Sequence, residues 1–201
     1  MKLGYLCVTG SVGWGYYIAD SSDVDLRGVF YRTKKEELLD CKSDQIEKEI
    51  EPIESVFWSF DKFYSLLLNS NPTAIEWLLS PVLFEDVLFK NLRKQIRAKN
   101  FNKYRLAKHY ISLSRGNYEK YTKKLTEKKR IYITRGLISC QRVLDDELPL
   151  MDTREMKIMT RKNITEGIKK YETMLKKVKF SEYDLIKEKY DDVLAKYYEG
   201  D

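Results

Sequence analysis

The hydrophobic pattern of this chain changes period once, near Ser59, and that change constrains the fold more than any single motif. Before it, short apolar runs are spaced by glycines and polar turns; after it, apolar residues recur every three or four positions. Leu3-Gly4-Tyr5-Leu6-Cys7-Val8-Thr9 reads as a strand ending at Gly10-Ser11. Val24 to Tyr31 reads as a second strand, and Ser55-Val56-Phe57-Trp58 as a third, after a loop-like acidic run from Asp44 to Glu51 and the breaker Pro52. Beyond Ser59, one helix carries Phe63, Leu66, Leu67 and Ser70 on a single face, and Asn71-Pro72-Thr73 starts another with Ile75, Leu78 and Leu79. Pro81 is expected to open a third, with Leu83, Phe84, Val87, Leu88, Leu92 and Ile96 at helical spacing. Amphipathic segments follow near residues 102–126, 128–147, 152–177 and 181–198, with Leu148-Pro149-Leu150 as punctuation. The expected class is α+β, a small mixed-sheet lobe followed by a helical lobe.

Composition narrows the chemistry. The chain is 43% hydrophobic and 34% charged, enough for a core and too polar for a membrane protein. No run approaches the roughly 18 apolar residues of a membrane span, and Met1 to Thr9 does not read as a signal peptide. Cys7, Cys41 and Cys140 are widely spaced and odd in number, which points to reduced thiols in a cytoplasmic protein. With His109 the single histidine, any metal chemistry falls to carboxylates. Charge is uneven: residues 1–90 hold nine basic against 15 acidic side chains, and residues 91–130 hold 14 against two. An acidic first part and a basic middle suit a metal site facing a polyanion, although lysine-rich helix faces are also commonly just solvated.

The sharpest cluster is Gly10-Ser11 followed by Ser22-Asp23-Val24-Asp25-Leu26-Arg27-Gly28. In a strand, period-two alternation puts Asp23, Asp25 and Arg27 on one face and sends Val24 and Leu26 into the core. Two carboxylates held two residues apart repel each other unless a cation lies between them. Hard oxygen donors of this kind suit Mg2+ or Mn2+, which in pairs support in-line phosphoryl transfer. Arg27 on the same face would steady a carboxylate or touch a phosphate. Gly10-Ser11 offers a closely approachable backbone and a hydroxyl to a nucleoside triphosphate. Trp14, Tyr16 and Tyr17, among Gly13 and Gly15, either pack on the lobe or stack on a base.

Gly10-Ser11-x-x-x-Gly15, then Asp20-Ser21-Ser22-Asp23-x-Asp25-x-Arg27-Gly28, resembles the nucleotidyltransferase superfamily that shares the DNA polymerase beta catalytic core. Within it the chain is most similar to the RNA repair pathway DNA polymerase beta family. Lys62-Phe63 with Asn71-Pro72-(x)3-Glu76 resembles one further segment of that family, and Lys129-(x)2-Tyr132-(x)2-Arg135 resembles another. The resemblance implies a nucleotidyltransferase core over residues 1–80 and a basic helical domain over 81–201. It also implies a third metal carboxylate before the Lys-Phe helix. That position falls at Glu54, where relatives often carry aspartate. Relatives also tend to carry a basic residue between the Gly-Ser and the next glycine, and Val12-Gly13-Trp14 has none.

The implied activity moves a nucleoside monophosphate from a nucleoside triphosphate to an acceptor hydroxyl. Asp23, Asp25 and Glu54 would hold the metals, and Gly10, Ser11, Arg27, Lys62, Lys129, Tyr132 and Arg135 would contact substrate. The basic 91–130 region favours a nucleic-acid acceptor, with a protein hydroxyl as the second option. A binding module without transfer activity is the rival. Asn71 and Glu76 also have a local explanation, as N-cap and first-turn acid of one helix. Lys128, Tyr132, Arg135 and Arg142 share a helix face that suits a phosphate backbone or plain solvation.

Overall fold

The computed structural model describes residues 1–16, 23–32, 44–50, 53–178 and 183–198, so Tyr17, Asp20, Ser21, Ser22, Cys41, Glu51 and Pro52 lie outside the described residues. Five strands form one sheet in the order β3-β4-β2-β1-β5: β1 (Lys2–Thr9), β2 (Val24–Tyr31), β3 (Gln45–Ile50), β4 (Ile53–Ser59) and β5 (Val82–Glu85). β2 and β4 run parallel and the other neighbours antiparallel, so the sheet is mixed and the class is α+β as expected.

Two strands lie where the pattern predicted other structure. β3 replaces most of the acidic loop: Gln45 to Ile50 pairs with β4 as an edge strand, where exposed charges are tolerated and discourage further pairing. β5 replaces the first turn of the helix expected from Pro81. Val82-Leu83-Phe84 is β-prone and finds a free edge on β1, and the helix begins only after Asp86, whose carboxylate accepts the Phe89 N–H at 2.9 Å.

Helix α1 is one turn, Gly10–Gly13; α2 (Phe60–Leu68), α3 (Pro72–Leu79) and α4 (Val87–Arg97) follow. Then come α5 (Lys103–Tyr121), a 3-10 turn over Thr122–Lys124, α6 (Glu127–Leu144), α7 (Arg161–Leu175) and α8 (Tyr183–Tyr198). Asn71 caps α3 as expected, its side chain accepting the Thr73 N–H at 2.9 Å. The segment expected to be helical from residue 152 is helical only from Arg161. Its first residues are drawn off by tertiary bonds: the Thr153 hydroxyl donates to the Trp14 carbonyl at 3.0 Å, and the Met159 N–H to the Thr134 hydroxyl at 3.1 Å.

The helices cover one face of the sheet. Tyr5 and Cys7 of β1 and Val29 of β2 point into that face and pack on Phe63, Trp77 and Phe89. Tyr5 stacks on Phe89 at 5.0 Å between centroids and donates its hydroxyl to the Trp77 carbonyl at 2.7 Å. The same core runs on through Leu106, Tyr110, Ile133, Leu137 and Ile164, so apolar packing and β5 both cross residue 80. Val24 and Leu26 do not join it, contrary to the alternation argument. They are half-buried on the other face, because the covering helices sit on the face that also carries Asp25 and Arg27. Cys7 and Cys140 are free and buried, and burial pushes both thiols up to about 12. Among the described residues no helix is long and apolar enough to cross a membrane.

Candidate active site

Asp25 is fixed by its two neighbours in the sheet, opposite Thr9 of β1 and Glu54 of β4. Because directly opposed residues share a face, its carboxylate rises on the helix-covered side, beyond the last core residues. Gly10 makes room for it. Gly10 has φ +64°, and a Cβ there would lie 1.7 Å from Asp25 Oδ2. The glycine of the Gly-Ser pair therefore serves the carboxylate directly, which spacing alone did not reveal.

Arg27 lies two residues along the same face and bridges two carboxylates. Its Nη2 donates to Asp25 Oδ1 at 2.6 Å and to Glu54 Oε1 at 2.9 Å, and its Nη1 to the Leu26 carbonyl at 3.0 Å. Burial raises the Asp25 carboxyl above its ordinary range; Arg27 pulls it down, and the charges of Glu54 and Asp23 push it up. Asp23 stands exposed just before β2.

Opposite this carboxylate end lies a cleft of about 350 Å³. Thr9, Gly10, Asp25 and Arg27 form one side, and Glu76 and Trp77 of α3, Tyr110 and Asn117 of α5, and Tyr132 and Arg135 of α6 the other, with Trp14 between. Glu76 is not a first-turn acid; it is buried and held by three groups. Arg135 Nη1 lies 3.0 Å from Glu76 Oε1, Arg135 Nη2 lies 2.5 Å from Oε2, and the Tyr110 hydroxyl donates to Oε1 at 2.7 Å. The Arg135 guanidinium carbon lies 3.7 Å from the Trp14 ring centroid, and Tyr132 meets that ring edge-on at 5.7 Å. Trp14 is thereby clamped from α6 while Thr153 holds its carbonyl. Two buried donors of this wall, Arg135 Nε and Trp14 Nε1, lack an acceptor among the described residues. Burial raises the Tyr132 hydroxyl, the Asp25 charge adds to it, and Arg135 opposes.

The sequence-predicted residues divide. Gly10, Asp25, Arg27, Tyr132 and Arg135 meet in the cleft. Ser11 is buried in α1 and does not line it. Lys62 lies elsewhere, its ammonium 2.5 Å from the Gln45 side-chain oxygen and 5.0 Å from the Trp58 ring centroid. Lys129 lines an adjoining groove, its ammonium 3.7 Å from the Tyr121 ring centroid. Sequence reasoning left Trp14 open between packing and stacking and passed over Tyr110; a tryptophan inside the glycine-rich turn was the available signal for the first. For a divalent ion, the oxygen donors near Asp25 are of the right hardness, and the guanidinium between Asp25 and Glu54 shows that this position holds positive charge. Glu54 is committed to Arg27, and no three His, Cys, Asp or Glu side chains among the described residues are gathered at metal-holding separation.

Comparison with known proteins places the chain in a family. A protein described as uncharacterized protein YcgL of Bacillus subtilis (strain 168) is 31% identical over 148 residues, covering 70% of this chain and 56% of that protein. The chain thus spans little more than half the length of that relative. A nucleotidyltransferase-like protein from Exiguobacterium sibiricum, known from a crystal structure, aligns with 87% of this chain and 69% of its own. At 12% identity and a TM-score of 0.37, that likeness is too loose to bear on the site. The profile of the RNA repair pathway DNA polymerase beta family matches residues 1–195, and the chain belongs to that nucleotidyltransferase-like family.

Proposed function

We propose that this chain is a divalent-metal-dependent nucleotidyltransferase that moves a nucleoside monophosphate from a nucleoside triphosphate to an acceptor hydroxyl, the acceptor being nucleic acid. The observation that carries this reading is Gly10 set against Asp25, a close approach that places a carboxylate at the mouth of a cleft walled by Trp14, Tyr132 and Arg135. Mg2+ or Mn2+ would be held by Asp23 and Asp25, with Glu54 joining when it leaves Arg27. Such ions supply charge stabilisation to the attacking and leaving oxygens. The chain's own residues do the rest. Asp25 and Glu54, opposed across β2 and β4, fix the reacting end of the cleft. Arg27, once released from Glu54, turns a guanidinium toward the triphosphate. The Trp14–Tyr132 wall excludes water and orients the nucleoside. Lys62 and Ser11 take no direct part in this geometry.

The bridging position of Arg27 favours a second reading, a nucleotide-binding module whose carboxylates are neutralised internally and transfer nothing. Incubating the chain with each labelled nucleoside triphosphate, Mg2+ or Mn2+ and total RNA separates the two. The transferase reading expects label in RNA for the wild type and none for Asp25→Ala. It also expects metal with triphosphate to raise Tm for the wild type and not for Asp23→Asn/Asp25→Asn. No transfer with any triphosphate and either metal, with nucleotide still bound, selects the module.

A further inference from the structure

The basic stretch 91–130 is not one surface. Arg93 is tied to Glu85 at 2.8 Å, Lys103 to Asp146 at 2.8 Å and Arg115 to Glu172 at 2.9 Å, so these cations are answered locally. Lys128 and Lys129 stand out by the groove they line. Neither has a carboxylate partner among the described residues, and together they line a groove of about 360 Å³ with Asn117, Tyr121, Thr126 and Tyr132. Asn117 and Tyr132 also line the cleft that holds Asp25, so groove and cleft adjoin at these two side chains.

We infer that this groove seats the single-stranded end of a nucleic acid, which reaches the carboxylate end of the cleft past Tyr132. The inference rests on the transferase reading for its direction, with the acceptor end at Asp25, but its binding surface stands by itself. The composition of the groove is that of a sequence-tolerant strand binder: ammonium groups for phosphates and tyrosine rings for base faces. Tyr132 is 38% exposed, and Tyr121 already carries the Lys129 ammonium over its ring. Each compartment has the size of a small-ligand site, which suits successive nucleotides of one strand and not the face of a duplex. The bland alternative is a solvated helix end. Lys128 and Lys129 sit in the first turn of α6, where the helix dipole opposes them, so helix stability supplies no reason for two adjacent cations there.

The test is binding, in chelator and without triphosphate, so that neither metal nor catalysis enters. A short labelled single-stranded RNA, the same RNA as a blunt duplex, and an acidic peptide of equal charge are titrated with the full chain across a salt series. The expected result is preference for the single strand. Lys128→Glu/Lys129→Glu should weaken it roughly tenfold at low salt and lower the log–log salt slope by about 1.4, two contacts at ~0.7 each. Lys90→Glu/Lys94→Glu on α4 should match the wild type in both. Equal losses from the two variants would reduce the groove to general charge and overturn the inference, as would a duplex or peptide bound as tightly as the strand. Loss of transfer with this binding pattern intact would sink the transferase reading alone. Transfer without it would leave the enzyme with a different acceptor seat.

Discussion

The two sides of the cleft each contain an arginine gripping carboxylate, and they differ in what surrounds the pair. Arg27 bridges Asp25 and Glu54 at the strand ends, where the Glu54 side chain is 49% exposed although Arg27 and Asp25 are only 16% and 21% exposed. Arg135 grips Glu76 between α6 and α3 with side-chain exposures of only 6% and 12%, under the Trp14 ring and beside the Tyr110 hydroxyl. A part-solvated pair contributes little and can exchange partners. A buried one, once formed, is costly to break, because the remaining charge is stranded. The comparison teaches that the Arg27–Glu54 contact can exchange partners while the Arg135–Glu76 pair is architecture. Arg135, expected from sequence to meet substrate, lines the cleft while it grips Glu76 and lies against the Trp14 ring.

The largest effect should come from breaking the buried pair. Arg135→Ala is expected to cost about 3–5 kcal/mol, a fall in Tm of roughly 6–20 °C at this size, and Glu76→Leu/Arg135→Met should recover much of it. If Arg135→Ala melts no lower than Arg27→Ala, the contrast between the two sides fails. Next in size is Gly10→Ala. A left-handed φ and a Cβ 1.7 Å from Asp25 Oδ2 should cost about 1–3 kcal/mol. Adding Asp25→Ala should return part of that loss; a double variant as unstable as the sum of the singles would dissociate the glycine from the carboxylate.

The smallest effect sharpens the strand-end side. The Asp25 carboxyl is raised, chiefly by burial, so the folded chain binds a proton there more readily than the unfolded one. Stability from this group is therefore fully present below the ordinary carboxylate range and is lost as pH rises through the elevated folded value. Asp25→Asn, in chelator, should raise Tm slightly at neutral pH, with the gain shrinking as pH falls toward the ordinary carboxylate range. A Tm difference that grows on acidification reverses the sign and would mean that Arg27 outweighs burial.

Local signals carried far in some places and stopped in others. Asn71 before Pro72 announced a cap that needs only its own next residues, and it formed. The strands ending at Thr9 and Tyr31 likewise followed from composition and a glycine break. β3 and β5 were not legible as strands, because an edge strand is stabilised by the neighbour it pairs with and not by its own pattern. The late start of α7 has the same cause: Thr153 and Met159 answer bonds from the α1 turn and from α6 rather than from their own helix.

The sequence by itself determined the order of the chemistry: a glycine after a strand, two aspartates where the next begins, and a charge balance that turns from acidic to basic beyond residue 90. These are properties of spacing and composition, which a chain keeps whatever its tertiary contacts. Only the tertiary structure decided that Gly10 yields space to Asp25, that Lys62 turns away from the cleft, and that Arg135 pairs with Glu76 across 59 positions. An arginine at a helical position has the same local energetics whether it faces water or a carboxylate. Desolvation and geometry choose between them, and both arise only when the helices pack.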